Sequence, residues 1–119
     1  MKKNIVMIND NGIVSIPNEV EIQEFEIAEL FGVSYQVVRT NIKAILKSNI
    51  CYGDYSHGGV VYGGTVYPEC YALDMIIAIA FRVQSPSAKV FREYIYRKLT
   101  KSTSQPLFIQ IDSSSNIFN

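Results

Sequence analysis

The stretch that decides the fold lies at residues 26–43 and reads EIAELFGVSYQVVRTNIK. Apolar residues recur at helical spacing before Gly32, and a second helical pattern follows Ser34. Glycine tolerates the positive φ angle at which helices commonly end, and serine is favoured as the cap that precedes a helix. The stretch therefore predicts two helices joined by a tight turn, which is the arrangement of a helix-turn-helix motif.

The second predicted helix, residues 34–47, keeps polar and basic side chains outside once its apolar face is buried. In a helix-turn-helix motif the second helix lies in the major groove of DNA, where such side chains contact base edges and phosphates. The predicted DNA-binding residues are Ser34, Tyr35, Gln36, Arg39, Thr40, Lys43 and Lys47.

Charge is distributed unequally over the two predicted helices. Residues 33–50 contain three basic residues and no acidic one, whereas residues 19–29 contain five acidic residues and no basic one. This separation suits DNA that faces the second helix only. A plain helical hairpin with a solvated charged face would show the same pattern, and the sequence leaves that alternative open.

Strand patterns flank the two helices on both sides. Residues 5–16 are β-prone around Asn11-Gly12, a strong turn signal, and predict an N-terminal β-hairpin. Residues 50–73 are rich in tyrosine and glycine and predict strands at 50–55 and 66–73 with a glycine-rich connection. A β-ribbon directly after the second helix is the layout of a winged helix. This ribbon carries two acidic residues and no lysine or arginine, which favours packing over DNA contact for its tyrosines.

Two further helices are predicted after the ribbon. Residues 75–81 are apolar throughout and predict a buried central helix capped by Asp74. Ser85 and Pro86 are favoured at the start of a helix, which we expect to end near Lys101. Residues 82–101 carry six basic residues and one glutamate, which predicts a second cationic surface. This surface could contact the DNA backbone, bind a partner or simply be solvated, and the sequence leaves these alternatives open.

The predicted fold class is thus α+β. Residues 1–101 are expected to form a winged helix-turn-helix domain with an N-terminal β-hairpin, a β-ribbon wing and two C-terminal helices. Residues 102–119 are expected to form a serine-rich linker and a short apolar tail strand at 107–111. A strand that short must pair either with its own sheet or with a neighbouring chain.

Composition narrows the function classes. The formal net charge is zero, so any affinity for nucleic acid must come from a local patch. No signal peptide is recognisable and the longest apolar stretch, residues 75–81, is too short to span a bilayer, so we expect a cytoplasmic chain with Cys51 and Cys70 reduced. With the single histidine, His57, the cysteines lack a zinc-binding spacing. No metal, cofactor or enzymatic activity is expected, because no nucleophile–base pair stands out.

A second motif lies at residues 71–85, which read YALDMIIAIAFRVQS and are followed by Phe91-Arg92. The motif resembles the RhuM-type virulence-associated proteins of bacteria, whose pattern is a tyrosine, any residue, Leu-Asp, an isoleucine-rich helix, Gly-Tyr-Arg-Val and a Phe-Arg-x-Trp helix. Residues 26–34 resemble the amino-terminal region of that family. This chain differs in having Ala80-Phe81 for Gly-Tyr and Tyr94 for the tryptophan, changes that conserve bulk.

The resemblance covers about residues 19–99 and implies the fold and a bacterial setting more than any reaction. Typical members of the family continue into another region after the final helix, and we expect functions of that region to be absent here.

Together these patterns predict a small bacterial transcriptional regulator that binds specific double-stranded DNA sequences through helix 34–47. A homodimer is expected, because two-fold pairing doubles the base contacts on a palindromic site. The sequence indicates no particular small-molecule effector. The alternative is a protein-interaction adaptor that keeps a helix-turn-helix shape without reading DNA, which the zero net charge, the ribbon without cations and the apolar tail would fit.

Overall fold

Four helices and two β-hairpins make up the part of the chain that the structure describes. The structure is a computed structural model that describes residues 4–51 and 53–101, with the backbone alone for Asp54, Ser56 and His57. The elements in chain order are β1 (Met7–Ile8), β2 (Val14–Ser15), α1 (Glu24–Phe31), α2 (Tyr35–Lys47), β3 (Asp54–Tyr62), β4 (Thr65–Cys70), α3 (Leu73–Ala80) and α4 (Pro86–Lys101). The predicted α+β class is confirmed at this level, while the predicted linker and tail strand at residues 102–119 lie outside the described residues.

The turn between α1 and α2 forms through the two predicted caps. Gly32 ends α1 in the left-handed conformation at φ 64°, and the next residue, Val33, donates its N–H to the Ala28 carbonyl at 3.1 Å. The Ser34 hydroxyl oxygen accepts a hydrogen bond from the Val37 N–H at 3.2 Å. These bonds satisfy backbone groups that helix ends would otherwise leave unpaired, so the turn is fixed by local sequence.

The hydrophobic core lies where the four described helices meet. Its fully buried side chains from the helices include Ile27, Phe31, Val38, Ile42, Ile45, Met75, Ile76, Ile79 and Phe91. Phe31 and Phe91 meet edge to face with ring centroids 5.7 Å apart, which joins α1 to α4. Burial of this apolar surface is the main force that holds the helices together.

The third helix departs from its prediction in two respects. It begins at Leu73 after the cap residue Ala72, so Asp74 lies within its first turn instead of capping it. Ile77 is half-buried, whereas Ile76 and Ile79 are fully buried. A helix that is apolar at every position does not reveal from its sequence which face is buried. Packing of α3 against α2 and α4 determines that face.

The junction of α3 and α4 is closed by side chains from α4 and its cap. Ser85 accepts a hydrogen bond on its hydroxyl oxygen from the Ala88 N–H at 3.0 Å, which confirms the predicted cap. Arg92 Nη1 donates to the carbonyls of Ala80 at 2.7 Å and Val83 at 3.0 Å. The Phe91-Arg92 pair therefore has a structural role in this chain, with one residue in the core and the other satisfying carbonyls at the end of α3.

Both hairpins differ in extent from their predictions. β1 and β2 pair over two residues each, Met7 with Ser15 and Ile8 with Val14, so the first hairpin is present but short. The second hairpin turns at Gly63-Gly64, where the φ angles are 55° and 82°, and not in a long glycine-rich connection. A two-residue hairpin turn of type I′ needs positive φ at both positions, which this pair supplies. The other glycine pair, Gly58-Gly59, lies inside β3 beside an irregularity in the strand register.

Candidate nucleic-acid interface

One stripe of α2 carries four of the predicted contact residues. Gln36, Thr40, Lys43 and Lys47 follow one another at spacings of four, three and four residues and are all exposed. At 3.6 residues per turn this spacing keeps them on one side of the helix. The stripe offers an amide and a hydroxyl that can bond base edges, followed by two ammonium groups that can contact phosphates.

Ser34 and Tyr35 lie at the N-terminal end of α2. Ser34 is exposed, although its hydroxyl already caps the helix. The Tyr35 hydroxyl shares a hydrogen bond with the Tyr62 hydroxyl at 2.9 Å, which joins the start of α2 to the end of β3. The ribbon is therefore tied to the helix at the end from which a recognition helix contacts base edges.

Arg39, like Tyr35, makes contacts within the protein, whereas Gln36, Thr40, Lys43 and Lys47 are exposed. Its Nε lies 3.5 Å from Oε1 of Glu24, and the side chains of Arg39 and Glu24 are only 25% and 7% exposed. Its guanidinium carbon lies 3.5 Å from the centroid of the Tyr62 ring and 4.8 Å from that of Tyr35. Cation–π contacts and the ion pair thus hold Arg39 between α1, α2 and β3. We call these four residues the junction cluster: Glu24, Tyr35, Arg39 and Tyr62.

The junction cluster combines hydrogen bonds to Tyr35 with the charges of Glu24 and Arg39, and Tyr71 lies near enough to feel the Glu24 carboxylate. Within the described residues, Glu24 Oε1, Arg39 Nε and the Tyr71 hydroxyl are buried without a hydrogen-bond partner. Burial, and then the nearby Glu24 carboxylate, raise the pKa of Tyr71 above its ordinary value. The hydrogen bond to Tyr35 is the main cause that raises the pKa of Tyr62. Both phenols accordingly stay neutral at physiological pH, and Arg39 is the cation that compensates the buried Glu24.

Glu24 and Tyr62 were not singled out from the sequence. They lie far from Arg39 along the chain, and Glu24 is one of five acidic residues in its segment. The one usable signal is position, because a glutamate in the first turn of a helix is favoured by the helix dipole. Nothing in the residue pattern shows that this glutamate is buried or that it faces α2.

A groove of about 500 Å³ runs between α2 and the ribbon. The helix side of the groove presents Lys43 and Lys47, and the ribbon side presents Tyr55, Thr65 and Tyr67 together with Val66, which is 52% exposed. Ammonium groups can pair with phosphates, while aromatic and aliphatic side chains can pack against the less polar sugars of a nucleic-acid backbone. The groove therefore has two cations on one side and a less polar wall on the other.

The described residues contain no group of three or more His, Cys, Asp or Glu side chains that could hold a metal ion. Cys51 and Cys70 do not form a disulfide, and Cys51 is buried, which raises the pKa of its thiol. Among the helices at residues 4–51 and 53–101, none has the length and apolar character needed to cross a bilayer.

Comparison with known proteins finds no matching family model, no matching curated protein and no matching solved structure. The resemblance to the RhuM-type proteins therefore stays a prediction.

Proposed function

We propose that this protein is a sequence-specific, double-stranded DNA-binding protein of the winged helix-turn-helix type. In this proposal α2 enters the major groove and the β3–β4 ribbon is the wing. The observation that carries it is the exposed stripe of Gln36, Thr40, Lys43 and Lys47 on a helix that follows a capped three-residue turn. Residues 33–50 carry no carboxylate that would repel phosphates.

The predicted contact residues receive different roles in this proposal. Gln36 and Thr40 read base edges, because amide and hydroxyl groups discriminate the donor and acceptor patterns of the major groove. Lys43 and Lys47 bind phosphates, and the Ser34 hydroxyl, which accepts the capping bond, can still donate its O–H to one. The Tyr35 hydroxyl is bonded to Tyr62, so Tyr35 helps to position the wing. Arg39 acts as a positioning residue that holds the wing against α2, since its guanidinium is already engaged.

The setting that fits this role is a bacterial transcriptional regulator related to the RhuM-type proteins and acting as a homodimer. One recognition helix contacts few bases, and a two-fold pair would double them. We propose no catalytic activity and no cofactor for this chain.

Selection of the DNA fragments that the protein binds, from a random pool, tests the proposal. The purified full chain should enrich a short common sequence from random double-stranded fragments. Gel shifts on that sequence should then show that Gln36→Ala costs about 1–3 kcal/mol and relaxes preference at one base pair. Gln84→Ala is the matched control, because Gln84 is an exposed glutamine outside α2 and should bind as the parent does. Failure to enrich any sequence would contradict the proposal.

One observation favours the adaptor alternative. The ribbon exposes Val61 by 64% and Val66 by 52% and carries no lysine or arginine to hold a phosphate. Exposed apolar strands of this kind are used in protein contacts. The adaptor function would be supported if the selection enriched nothing and Val61→Lys abolished binding to a protein partner that the parent retains.

A further inference from the structure

A second groove, remote in sequence from α2, lies between the N-terminal hairpin and the last turns of α4. It measures about 450 Å³ and we call it the hairpin–α4 groove. Its lining residues are Asn11, Gly12, Ile13, Val14, Tyr94, Arg97, Lys98 and Lys101. A cavity of this volume lies within the range that small molecules occupy, about 300–1,000 Å³.

The structure gathers half of the basic residues of segment 82–101 at this groove. Two of the six are engaged elsewhere, since Arg82 donates to Asn41 and Arg92 donates to carbonyls at the end of α3. Arg97, Lys98 and Lys101 line the groove, and none of them forms an ion pair with a carboxylate of the described residues. No described carboxylate lines the groove either. Glu93, the one acidic residue of α4, lines a different groove beside Phe81 and Arg92, so the described lining of the hairpin–α4 groove carries cations alone.

The last turn of a helix favours cations, and this effect accounts for part of the pattern. The dipole presents about half a negative charge at the C-terminus, however, which is less than the charge of three cations. Arg97 and Lys101 also lie four residues apart, the spacing at which like charges on a helix repel. An anion in the groove would relieve that repulsion.

The other wall of the groove is apolar and aromatic. Ile13 is 58% exposed, Val14 is buried, and the Lys98 ammonium lies over the Tyr94 ring at 5.6 Å from its centroid. The backbone N–H groups of Asn11, Gly12 and Ile13 already bond to Asn9, so these three groups are not free to bind an anion. The charged groups that would recognise an anion are the α4 side chains, and the hairpin side supplies the apolar surface.

We propose that the hairpin–α4 groove binds a small organic anion, a molecule with one acidic group on an apolar or aromatic body. The acidic group would pair with Arg97 and Lys101, and the body would lie against Ile13 and Tyr94. A bare inorganic anion would leave the apolar wall unused. This site stands apart from the α2 stripe, so the proposal does not depend on DNA binding.

A titration followed by two-dimensional NMR tests the proposal with the isotope-labelled full chain. The probe is naphthoate, and the matched neutral probe is naphthylmethanol. Naphthoate should cause saturable shifts of amide signals at residues 11–14 and 94–101. Arg97→Gln combined with Lys101→Gln should weaken binding about tenfold, because charge-assisted hydrogen bonds are lost. Lys89→Gln is the control, since Lys89 lines a different groove with Phe81 and should leave the affinity unchanged.

Several results would overturn the proposal. Equal binding of naphthylmethanol would show that the cations take no part, and equal binding of inorganic phosphate would reduce the groove to a counterion site. Shifts scattered over other basic surfaces, or an affinity that the double variant leaves intact, would also overturn it. A DNA duplex that shifts these residues when naphthoate does not would assign the groove to the phosphate backbone instead.

Discussion

At the scale of single residues, Arg39 has the most distinctive environment on α2. Its guanidinium lies against Tyr62 and its Nε faces the buried Glu24 carboxylate at 3.5 Å. A side chain that only contacts a ligand is dispensable to the folded state, whereas removal of one member of a buried ion pair leaves an uncompensated charge. Stability measurements therefore distinguish these two roles of Arg39.

We expect Arg39→Ala to lower the free energy of unfolding, but by less than the loss of one member of a fully buried pair, because Arg39 is 25% exposed. Urea denaturation of Arg39→Ala, of Glu24→Gln and of the double variant measures the coupling. The double variant should lose less than the sum of the single losses. Lys43→Ala is the control, since Lys43 is exposed and its removal should change stability by no more than about 0.5 kcal/mol. Additive losses would mean that the two side chains do not act as a pair.

The candidate site is predictable from sequence to the extent that helical spacing determines it. Gln36, Thr40, Lys43 and Lys47 follow directly from the helix period once Val38 and Ile42 are taken as buried. The environment of Arg39 does not follow, because it depends on how the ribbon folds back over α2. That return path is set by the β3–β4 turn and by tertiary packing, for which periodicity carries no information.

At the scale of elements, the parts with local signals are the ones that the sequence predicts well. The Gly32 and Ser34 caps and the Ser85 cap form as expected, because each rests on hydrogen bonds or backbone angles within a few residues. The predicted ribbon is present, but its strand bounds do not follow from the sequence, because two glycine pairs compete as the turn. Only Gly63-Gly64 has positive φ at both positions, a conformation that composition does not reveal.

The turn between α1 and α2 yields a prediction for Gly32. An added Cβ at this position would meet no atom within 4 Å, so a substitution there costs backbone strain alone at φ 64°. Gly32→Ala should destabilise the protein by about 1 kcal/mol, and Gly32→Asn by less, because asparagine tolerates the left-handed region better. Thermal unfolding of the two variants beside the parent measures this order. An alanine variant as stable as the parent would mean that the turn is not left-handed.

Helix α3 yields a prediction about the centre of the core. Ile76→Ala should lose about 2–5 kcal/mol, because Ile76 is fully buried and the change leaves a cavity. Ile77→Ala is the matched control in the same helix, and it should lose clearly less because Ile77 is half-buried. Urea denaturation, analysed with the same dependence of unfolding free energy on urea concentration for both variants, measures the two losses. The reverse order would show that the other face of α3 is the inner one.

At the scale of the whole molecule, the acidic segment before α2 and the basic stripe on α2 give a neutral chain a polarised surface. A protein of zero net charge gains little from long-range attraction to DNA, so the proposed DNA binding would depend on contacts at the stripe and the adjacent groove. Because one such helix would contact few bases, binding of two chains to one DNA site would double the number of contacts.

We therefore expect two chains per duplex on a palindromic version of the selected sequence, with half-sites about 10 base pairs apart. Sedimentation of labelled duplex with increasing protein measures this stoichiometry. A duplex with one half-site mutated should bind one chain, or none at the same protein concentration. Saturation of the intact palindrome at one chain would exclude the homodimer.

The salt dependence of DNA affinity tests the central claim most directly, since phosphate contacts release counterions in proportion to their number. Lys43→Gln combined with Lys47→Gln should flatten the slope of log K against log salt concentration by about 2, because each lost contact contributes about 0.9. Lys89→Gln combined with Lys98→Gln removes the same charge from α4 and should leave the parental slope. An unchanged slope in the α2 variant, or an equal change in both variants, would contradict DNA binding through this helix.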